Sequence, residues 1–299
     1  MHLRRRYRQP ILLLASGVLA ASSAVSELPG TSGTQFGASV YRGSSSWQTA
    51  VEQSDDRYGG LEVVRAFDPG LPSSWAHTSN ATDASLVVSF KAHPTQILSG
   101  ENDQRLKQWF ATAPQDRDIW WAYYHEPEDN VERGDFTAEQ WRAAYRHIAA
   151  LANEANNPRL LNTIVLMCWT LDPASGRSIS DYFPGADVVE TIGWDCYSEP
   201  SADQAYENPS ELYGPAIATS RGLGVGWGIA ETGSIQSAAD PTGALRAEWL
   251  LEAGQYLADE DAQFVTYFDS PVGGEFRLLD QPSELAWREV IESFGARGR

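Results

Sequence analysis

Short apolar runs alternate with helical patterns along most of the chain. Most of the runs are apolar at successive positions, as Ile164-Val165-Leu166-Met167 shows. Strands that are apolar on both faces are typical of a parallel sheet covered by helices. The predicted strands are Phe36–Arg42, Leu61–Phe67, Ala84–Ala92, Asp118–Glu126, Leu160–Trp169, Asp187–Cys196, Gly224–Glu231 and Gln263–Asp269.

Helical periodicity fills most of the gaps between these strands. The clearest helix is Thr137–Asn156, whose apolar side chains recur on one face. It opens with Thr137 three residues before Gln140, the spacing of a capping box. Residues 68–83 are rich in Pro and Ser, which predicts an irregular or shortened helix there. The other predicted helices are Asp103–Ala111, Glu211–Arg221, Gly243–Asp259 and Ser283–Phe294.

Strand–helix alternation repeated eight times predicts an α/β protein with a (β/α)8 TIM barrel. No low-complexity linker divides residues 36–299, so we expect one catalytic domain there. Residues 27–35 are predicted to be a flexible amino-terminal tail. A doubly wound open sheet is the rival fold, and it is disfavoured because no glycine-rich nucleotide loop follows the first strand.

The amino end has the pattern of an export signal. Four arginines precede the apolar run Ile11–Ala21, which small residues follow. Residues 1–26 are therefore predicted to be a secretory signal peptide, and the protein to be secreted, with no membrane association after cleavage. An uncleaved anchor is the alternative, but the apolar run is shorter than the roughly 20 residues that span a bilayer.

Composition narrows the possible partners. The 299 residues carry 40 acids against 22 basic residues, a net charge of −18. Such acidity disfavours nucleic acid and anionic membranes as partners. We also expect the protein to be a monomer. Eleven Trp, 12 Tyr and 10 Phe exceed what a core needs and leave rings for a stacking site. Export also allows a disulfide between Cys168 and Cys196, although two buried free thiols are equally open.

Two glutamates stand where the fourth and seventh strands end. The fourth strand finishes Tyr124-His125-Glu126 and the seventh Ile229-Ala230-Glu231. In a TIM barrel the carboxyl ends of strands carry the active site. Two facing carboxylates are what retaining glycoside hydrolysis requires, one as acid/base and one as nucleophile. Either Glu alone would be read as a structural ion-pair partner, but the pair favours catalysis.

These motifs resemble those of a known clan. The chain is similar to retaining glycoside hydrolases whose (β/α)8 barrels carry the acid/base on strand four and the nucleophile on strand seven. His125-Glu126-Pro127 resembles glycoside hydrolase family 26, while Glu231-Thr232-Gly233 departs from the Glu-Phe-Gly of many relatives. The resemblance implies that Glu126 is the acid/base and Glu231 the nucleophile. It also implies a retaining β-glycosidase, β-mannanase-like and endo-acting on β-mannan or a related β-glycan.

The resemblance also assigns helper residues. Tyr197 would hydrogen-bond the nucleophile, Arg65 would approach it, and His93 would contact substrate. His125 could bind sugar, position Glu126 or simply line the wall, and Trp169 is a candidate stacking platform. No cofactor or metal is expected, and the partner is a polysaccharide or oligosaccharide substrate.

Several points stay open at this stage. Lys91, one of only two lysines, ends the third strand and is either a hydroxyl ligand or a surface charge. Glu128 and Asp129 are expected to face solvent. A non-catalytic glycan-binding barrel is the first alternative function. A metal-dependent hydrolase or deacetylase using His77, His93 or His125 is the second, although no known ligand spacing supports it.

Overall fold

A closed barrel of eight parallel strands forms the centre of the fold. The computed structural model describes residues 33–72, 74–75, 81–200 and 206–298. All eight predicted strands are confirmed, and each pairs with its neighbours in chain order until β8 meets β1. The strands are β1 Gln35–Val40, β2 Val63–Asp68, β3 Ser85–Phe90, β4 Ile119–Tyr123, β5 Leu160–Met167, β6 Thr191–Tyr197, β7 Gly226–Gly233 and β8 Phe264–Asp269.

The amino-terminal predictions lie largely outside the described residues. The predicted signal peptide at 1–26 and positions 27–32 of the predicted tail are in this group, as is His77. The barrel begins at Gln35, which was assigned to the tail. No helix in the described part of the chain is long and apolar enough to cross a membrane.

Helices follow most of the strands and cover the outside of the barrel. All five predicted helices are present, and the capping box of Thr137 and Gln140 is formed at the start of α5. The described residues between β2 and β3 form no helix, in line with their Pro/Ser-rich sequence. In the described ranges the helices are α1 Trp47–Tyr58, α2 Pro94–Leu98, α3 Asp103–Ala111, α4 Glu128–Glu132, α5 Ala138–Asn153, α6 Ile179–Tyr182, α7 Pro209–Leu223, α8 Ala244–Asp259 and α9 Gln281–Phe294.

A small apolar core fills the inside of the barrel. Phe264 occupies much of this space, and a Cβ placed on Gly228 would lie 2.7 Å from its ring, so β7 needs glycine there. This apolar plug consists of Val63, Val87, Trp120, Ala122, Leu161, Val165, Ala230 and Phe264. At the amino ends of the strands the plug meets Gln263, whose Oε1 accepts from Nε1 of Trp120 at 3.2 Å and from the Thr191 hydroxyl at 2.9 Å.

A disulfide joins two neighbouring segments at the carboxyl end of the barrel. Cys168 follows β5 directly, Cys196 lies on β6, and the two are bonded with Cα atoms 5.1 Å apart. The structure thus decides between the two alternatives left open by the sequence. The bond fixes a 3-10 turn at Cys168–Leu171 against the strand that carries Tyr197.

Candidate active site

A break in strand regularity turns Glu231 into the barrel. Neighbouring residues of a strand face opposite sides of a sheet. Ala230 nevertheless packs in the inner core, while the next residue, Glu231, contacts Arg65 and Tyr197. The pairing of β7 with β6 shifts register at this point, which is the mark of a β-bulge. The bulge gives β7 two successive inward side chains.

The end of β4 is irregular as well. Tyr124 and Glu126 both adopt left-handed backbone conformations, with φ of 48° and 50°. Such conformations cost non-glycine residues about 1–3 kcal/mol each and cluster at functional sites. The Glu126 N–H donates to the Val165 carbonyl at 3.0 Å, which ties the turn to β5.

Glu231 is buried with two donors on its carboxylate. The Tyr197 hydroxyl donates to Oε2 at 2.6 Å, and Nη2 of Arg65 donates to Oε1 at 3.4 Å. Burial raises the pKa of Glu231, while Arg65 and then the Tyr197 hydrogen bond act to lower it. Burial is the largest of these effects and the net pKa is raised, while the two donors stabilise the anionic form and fix its direction, as a nucleophile requires.

Glu126 lies in a different electrostatic setting. Burial, then Glu231 and Glu128, raise the pKa of Glu126 to about 7, against the opposing charges of Lys91 and Arg65. Its carboxyl therefore stays protonated to a much higher pH than an ordinary glutamate and is about half protonated near pH 7. The pKa of both carboxyls is raised, but only Glu231 has a guanidinium and a phenol on its oxygens, and such a difference in surroundings is what separate acid and nucleophile roles require.

A hydrogen-bonded chain connects the two glutamates' strands. Nη1 of Arg65 donates to the Ser89 hydroxyl at 2.7 Å, and Ser89 is 2.9 Å from Nδ1 of His125. The His125 ring packs edge-on against Phe67, and burial with the nearby cations lowers its pKa. His125 is thus a neutral wall residue that also orients Arg65 through Ser89. Ser89 was not singled out from the sequence.

His93 has other partners. It caps the amino end of α2, with Nδ1 beside the Thr95 hydroxyl at 2.8 Å. Its Nε2 lies 3.0 Å from the Asp135 carbonyl, and its ring packs on Phe136. Within the described residues it makes no contact with Glu126 or Glu231. The structure gives His93 a helix-capping role, and its predicted substrate contact has no support from this geometry.

A groove leads from Glu126 along the loops that follow β5 and β6. It has a volume of about 770 Å³ and passes Trp169 and Tyr197. Trp169 is 48% exposed, so its indole face is available for stacking. Among the described residues that line this groove none is basic. The described carboxylates there are those of Glu126, Asp172, Asp195, Glu199, Glu207 and Glu211.

Asp195 is a site residue that sequence reasoning missed. It is 4% exposed, and neither carboxyl oxygen has a hydrogen-bond partner within the described chain. Burial, then Glu231 and Glu126, raise its pKa well above the usual range, which favours the neutral form of Asp195 beside these two glutamates. Its position two residues before Tyr197 on one strand places both on the same face, and that spacing could have revealed it.

One charged residue near Glu126 is buried where the sequence predicts that it is exposed. Glu128 was expected to face solvent, but it is fully buried. The residue after Pro127 begins α4, and that turn directs Glu128 inward. Asp129 is half-exposed and pairs with Arg177 at 2.5 Å. Lys91 is partly buried, with Nζ 5.2 Å from the centre of the Tyr124 ring, and burial lowers its pKa.

Among the described residues, no group of three or more His, Cys, Asp or Glu side chains is arranged to hold a metal ion. The side chains described at the mouth of the barrel include carboxyls, a phenol, a guanidinium and an amine. These groups can donate and accept protons and can stabilise a developing positive charge on a substrate.

Comparison with known proteins gives matches in structure. No family model and no curated protein sequence matches the chain. A glucosidase from Croceicoccus marinus superposes with a TM-score of 0.64 at 12% identity, over 90% of this chain and 69% of that one. A modular endo-β-1,4-mannanase from Cellulomonas fimi gives 0.58 at 12%, over 89% and 73%. A family 26 β-mannanase from Bacteroides ovatus gives 0.54 at 13%, over 87% and 89%.

The chain folds as these glycoside hydrolases do. At 12–13% identity the likeness concerns the fold, and it confirms the predicted single (β/α)8 barrel. TIM barrels host many chemistries, so an activity has to be argued from the residues at the mouth.

Proposed function

We propose that the protein is a retaining β-glycosidase that hydrolyses a polysaccharide by double displacement. Glu231 attacks the anomeric carbon and Glu126 protonates the departing sugar oxygen; Glu126 then deprotonates the water that releases the glycosyl-enzyme. The observation that carries the proposal is the contrast between the two carboxyls. Glu231 has Arg65 and Tyr197 on its oxygens, whereas the pKa of Glu126 is raised to about 7.

The helper residues fit this chemistry. In the first step Glu231 loses negative charge as it bonds to the sugar, so its bonds from Tyr197 and Arg65 weaken as the covalent intermediate forms. Both bonds are restored when water releases the sugar. A neutral Asp195 beside the pair can donate a hydrogen bond to a substrate hydroxyl, and Trp169 offers an apolar face for a neighbouring sugar ring.

The proposed substrate is a β-glycan, with β-1,4-mannan first. Its support is the resemblance of His125-Glu126-Pro127 to family 26 and the likeness in fold to solved β-mannanases. An open groove beside Glu126 suits a chain that is cut internally. A panel of soluble β-mannan, β-1,3-xylan and mixed-linkage β-glucan, with products separated by chromatography, tests both the sugar and the endo mode.

Azide rescue tests the two catalytic roles. Glu231→Ala should abolish turnover of an aryl β-glycoside, and azide should restore it by forming the α-glycosyl azide. Glu126→Ala should keep its activity on an activated leaving group and, with azide, give the β-glycosyl azide. Identical azide products from the two variants, or a nearly active Glu231→Ala, would refute the assignment.

We also propose that the protein is secreted, on the strength of the pattern in residues 1–26. Expression of the full chain followed by amino-terminal sequencing of the mature protein tests this. A new amino terminus near residue 27 in the culture medium is expected, and an intact Met1 in the cell pellet would contradict it.

A further inference from the structure

Glu128 is an unusual residue for its position. It is fully buried two residues past Glu126, and carboxylates are rarely buried without a charged partner. No ion pair to Glu128 is found among the described residues. Its Oε1 instead accepts two hydrogen bonds, from the Met167 N–H and from the Thr170 hydroxyl, each at 2.9 Å. The Met167 donor is the last residue of β5, and the Thr170 donor lies in the turn that follows this strand.

These two bonds bracket the residue that forms the wall of the groove. Met167 ends β5, and Thr170 lies in the 3-10 turn Cys168–Leu171. Between them stands Trp169, whose ring is 48% exposed at the groove. Oε1 of Glu128 therefore holds the turn on both sides of Trp169. The disulfide at Cys168 holds the same turn from the direction of β6.

The chain thus links the acid/base directly to the indole. Glu126, Pro127 and Glu128 are consecutive, and Pro127 restricts the backbone between the two glutamates. Any shift of the Glu128 carboxyl would move the turn of Trp169 relative to the Glu126 carboxyl. A sugar stacked on that ring would then present its glycosidic oxygen at a different distance from the acid.

We propose that Glu128 is a positioning residue that holds Trp169 at a fixed place relative to Glu126. A sugar stacked on Trp169 then keeps its glycosidic oxygen at a constant distance from the Glu126 carboxyl. This inference rests on the glycosidase function proposed above. It assigns Glu128 no contact with substrate; its effect passes through the Thr170 hydroxyl, the Met167 amide and the indole.

Thr170 provides the sharpest test because its hydroxyl can be replaced by a methyl group with little other change. Thr170→Val removes the hydroxyl and keeps the shape, while Thr170→Ser keeps the hydroxyl as the matched control. We expect Thr170→Val to raise KM on the glycan identified by the panel about fivefold with kcat within about twofold, and Thr170→Ser to stay near wild type.

A double-mutant cycle with Trp169→Ala decides whether the effect passes through the ring. In the Trp169→Ala background, Thr170→Val should change KM by no more than about 1.5-fold, because the positioned group is gone. An equal KM increase in both backgrounds, or a loss confined to kcat, would overturn the proposal.

Glu128 itself is tested by a pair of variants. Glu128→Gln retains an oxygen that can accept both hydrogen bonds, so KM should stay within about twofold, whereas Glu128→Ala should match Thr170→Val. Equal KM values for the two variants would contradict the proposed role. If Glu128→Ala does not fold, the comparison of Thr170→Val with Thr170→Ser decides whether the proposal stands.

Hydrogen exchange separates failure of this inference from failure of the proposed function. Glu128→Gln and Thr170→Ser should keep the Met167–Leu171 peptide as protected as in wild type, and Thr170→Val should speed its exchange about tenfold. If exchange is unchanged in Thr170→Val, Glu128 does not hold the turn, and the proposal is refuted independently of the substrate. Tenfold faster exchange in a protein that cleaves no glycan would refute the glycosidase function, and with it the role in sugar register.

Discussion

Replacing Glu126 by Gln should stabilise the folded chain at alkaline pH while it removes the acid needed for turnover. Burial and the carboxylates of Glu231 and Glu128 raise the pKa of Glu126 from 4.5 to about 7. One pKa unit corresponds to about 1.4 kcal/mol, so ionising Glu126 lowers the free energy of unfolding by up to about 3 kcal/mol.

The sign follows from the order in which the two states lose the proton. Below pH 4.5 the carboxyl is protonated in both states, and its contribution to stability is complete. Between pH 4.5 and 7 the unfolded chain ionises first, so stability falls as the pH rises, and above pH 7 the loss is complete. A glutamine does not ionise and avoids this loss.

Urea unfolding at pH 4 and pH 8, followed by tryptophan fluorescence with the disulfide oxidised, measures the effect. Glu126→Gln should match wild type at pH 4 and exceed its free energy of unfolding by about 3 kcal/mol at pH 8. Glu132→Gln is the control on the neighbouring helix, because Arg177 lowers the pKa of this exposed carboxylate and its removal brings no gain. A gain below about 1 kcal/mol at pH 8 would refute the raised pKa of Glu126.

Three further predictions concern the nucleophile and the disulfide. Tyr197→Phe removes one of the two donors on Glu231, so the pKa of Glu231 rises and the acidic limb of the kcat/KM profile moves to higher pH; an unmoved limb would contradict this. Arg65→Met leaves the Glu231 carboxylate buried without its cation and should lower the free energy of unfolding by about 3–5 kcal/mol in urea at pH 7. The double variant Cys168→Ser/Cys196→Ser opens a crosslink between residues 28 apart in sequence and should lower the free energy of unfolding by about 3.6 kcal/mol, with unchanged stability as the contrary result.

The fold was predictable because its strands are continuous apolar runs. Such runs need cover on both faces, and eight of them separated by helices leave a barrel as the simplest solution. Strand ends were less accurate, since β4 was expected to reach Glu126 but ends at Tyr123, where the backbone turns left-handed. α1 went unpredicted because its sequence is mainly polar, and only three of its 12 residues are buried.

The site was predictable where resemblance and strand ends coincided. Arg65 and Tyr197 were assigned to the nucleophile, and both contact Glu231 in the structure. His93 was assigned to substrate, yet Pro94 and Gln96 give it the local sequence of a helix cap, which the structure bears out. A cap needs only neighbours in sequence, whereas a substrate contact depends on how strands from across the barrel converge.

Buried polar residues were the hardest to recognise. Glu128 is hydrophilic and follows a proline, a context typical of solvent-exposed turns. Its burial depends on donors at the end of β5 and in the turn after it, 39 and 42 residues later, and no local sequence pattern indicates them. Ser89 is similar, since its role comes from Arg65 on one side and His125 on the other.

Regular strands alone could not have built this site. A regular β7 that turned Ala230 into the apolar plug would point Glu231 at the surrounding helices, away from Arg65. The bulge resolves this conflict because it lets one strand contribute both to the plug and to the mouth. The left-handed turns at Tyr124 and Glu126 have the same effect at the end of β4. In a continued strand the direction of the Glu126 side chain would be set by alternation alone. The two carboxyls therefore depend on the places where the barrel departs from its own geometry, and the stability of the plug below them is what sustains that strain.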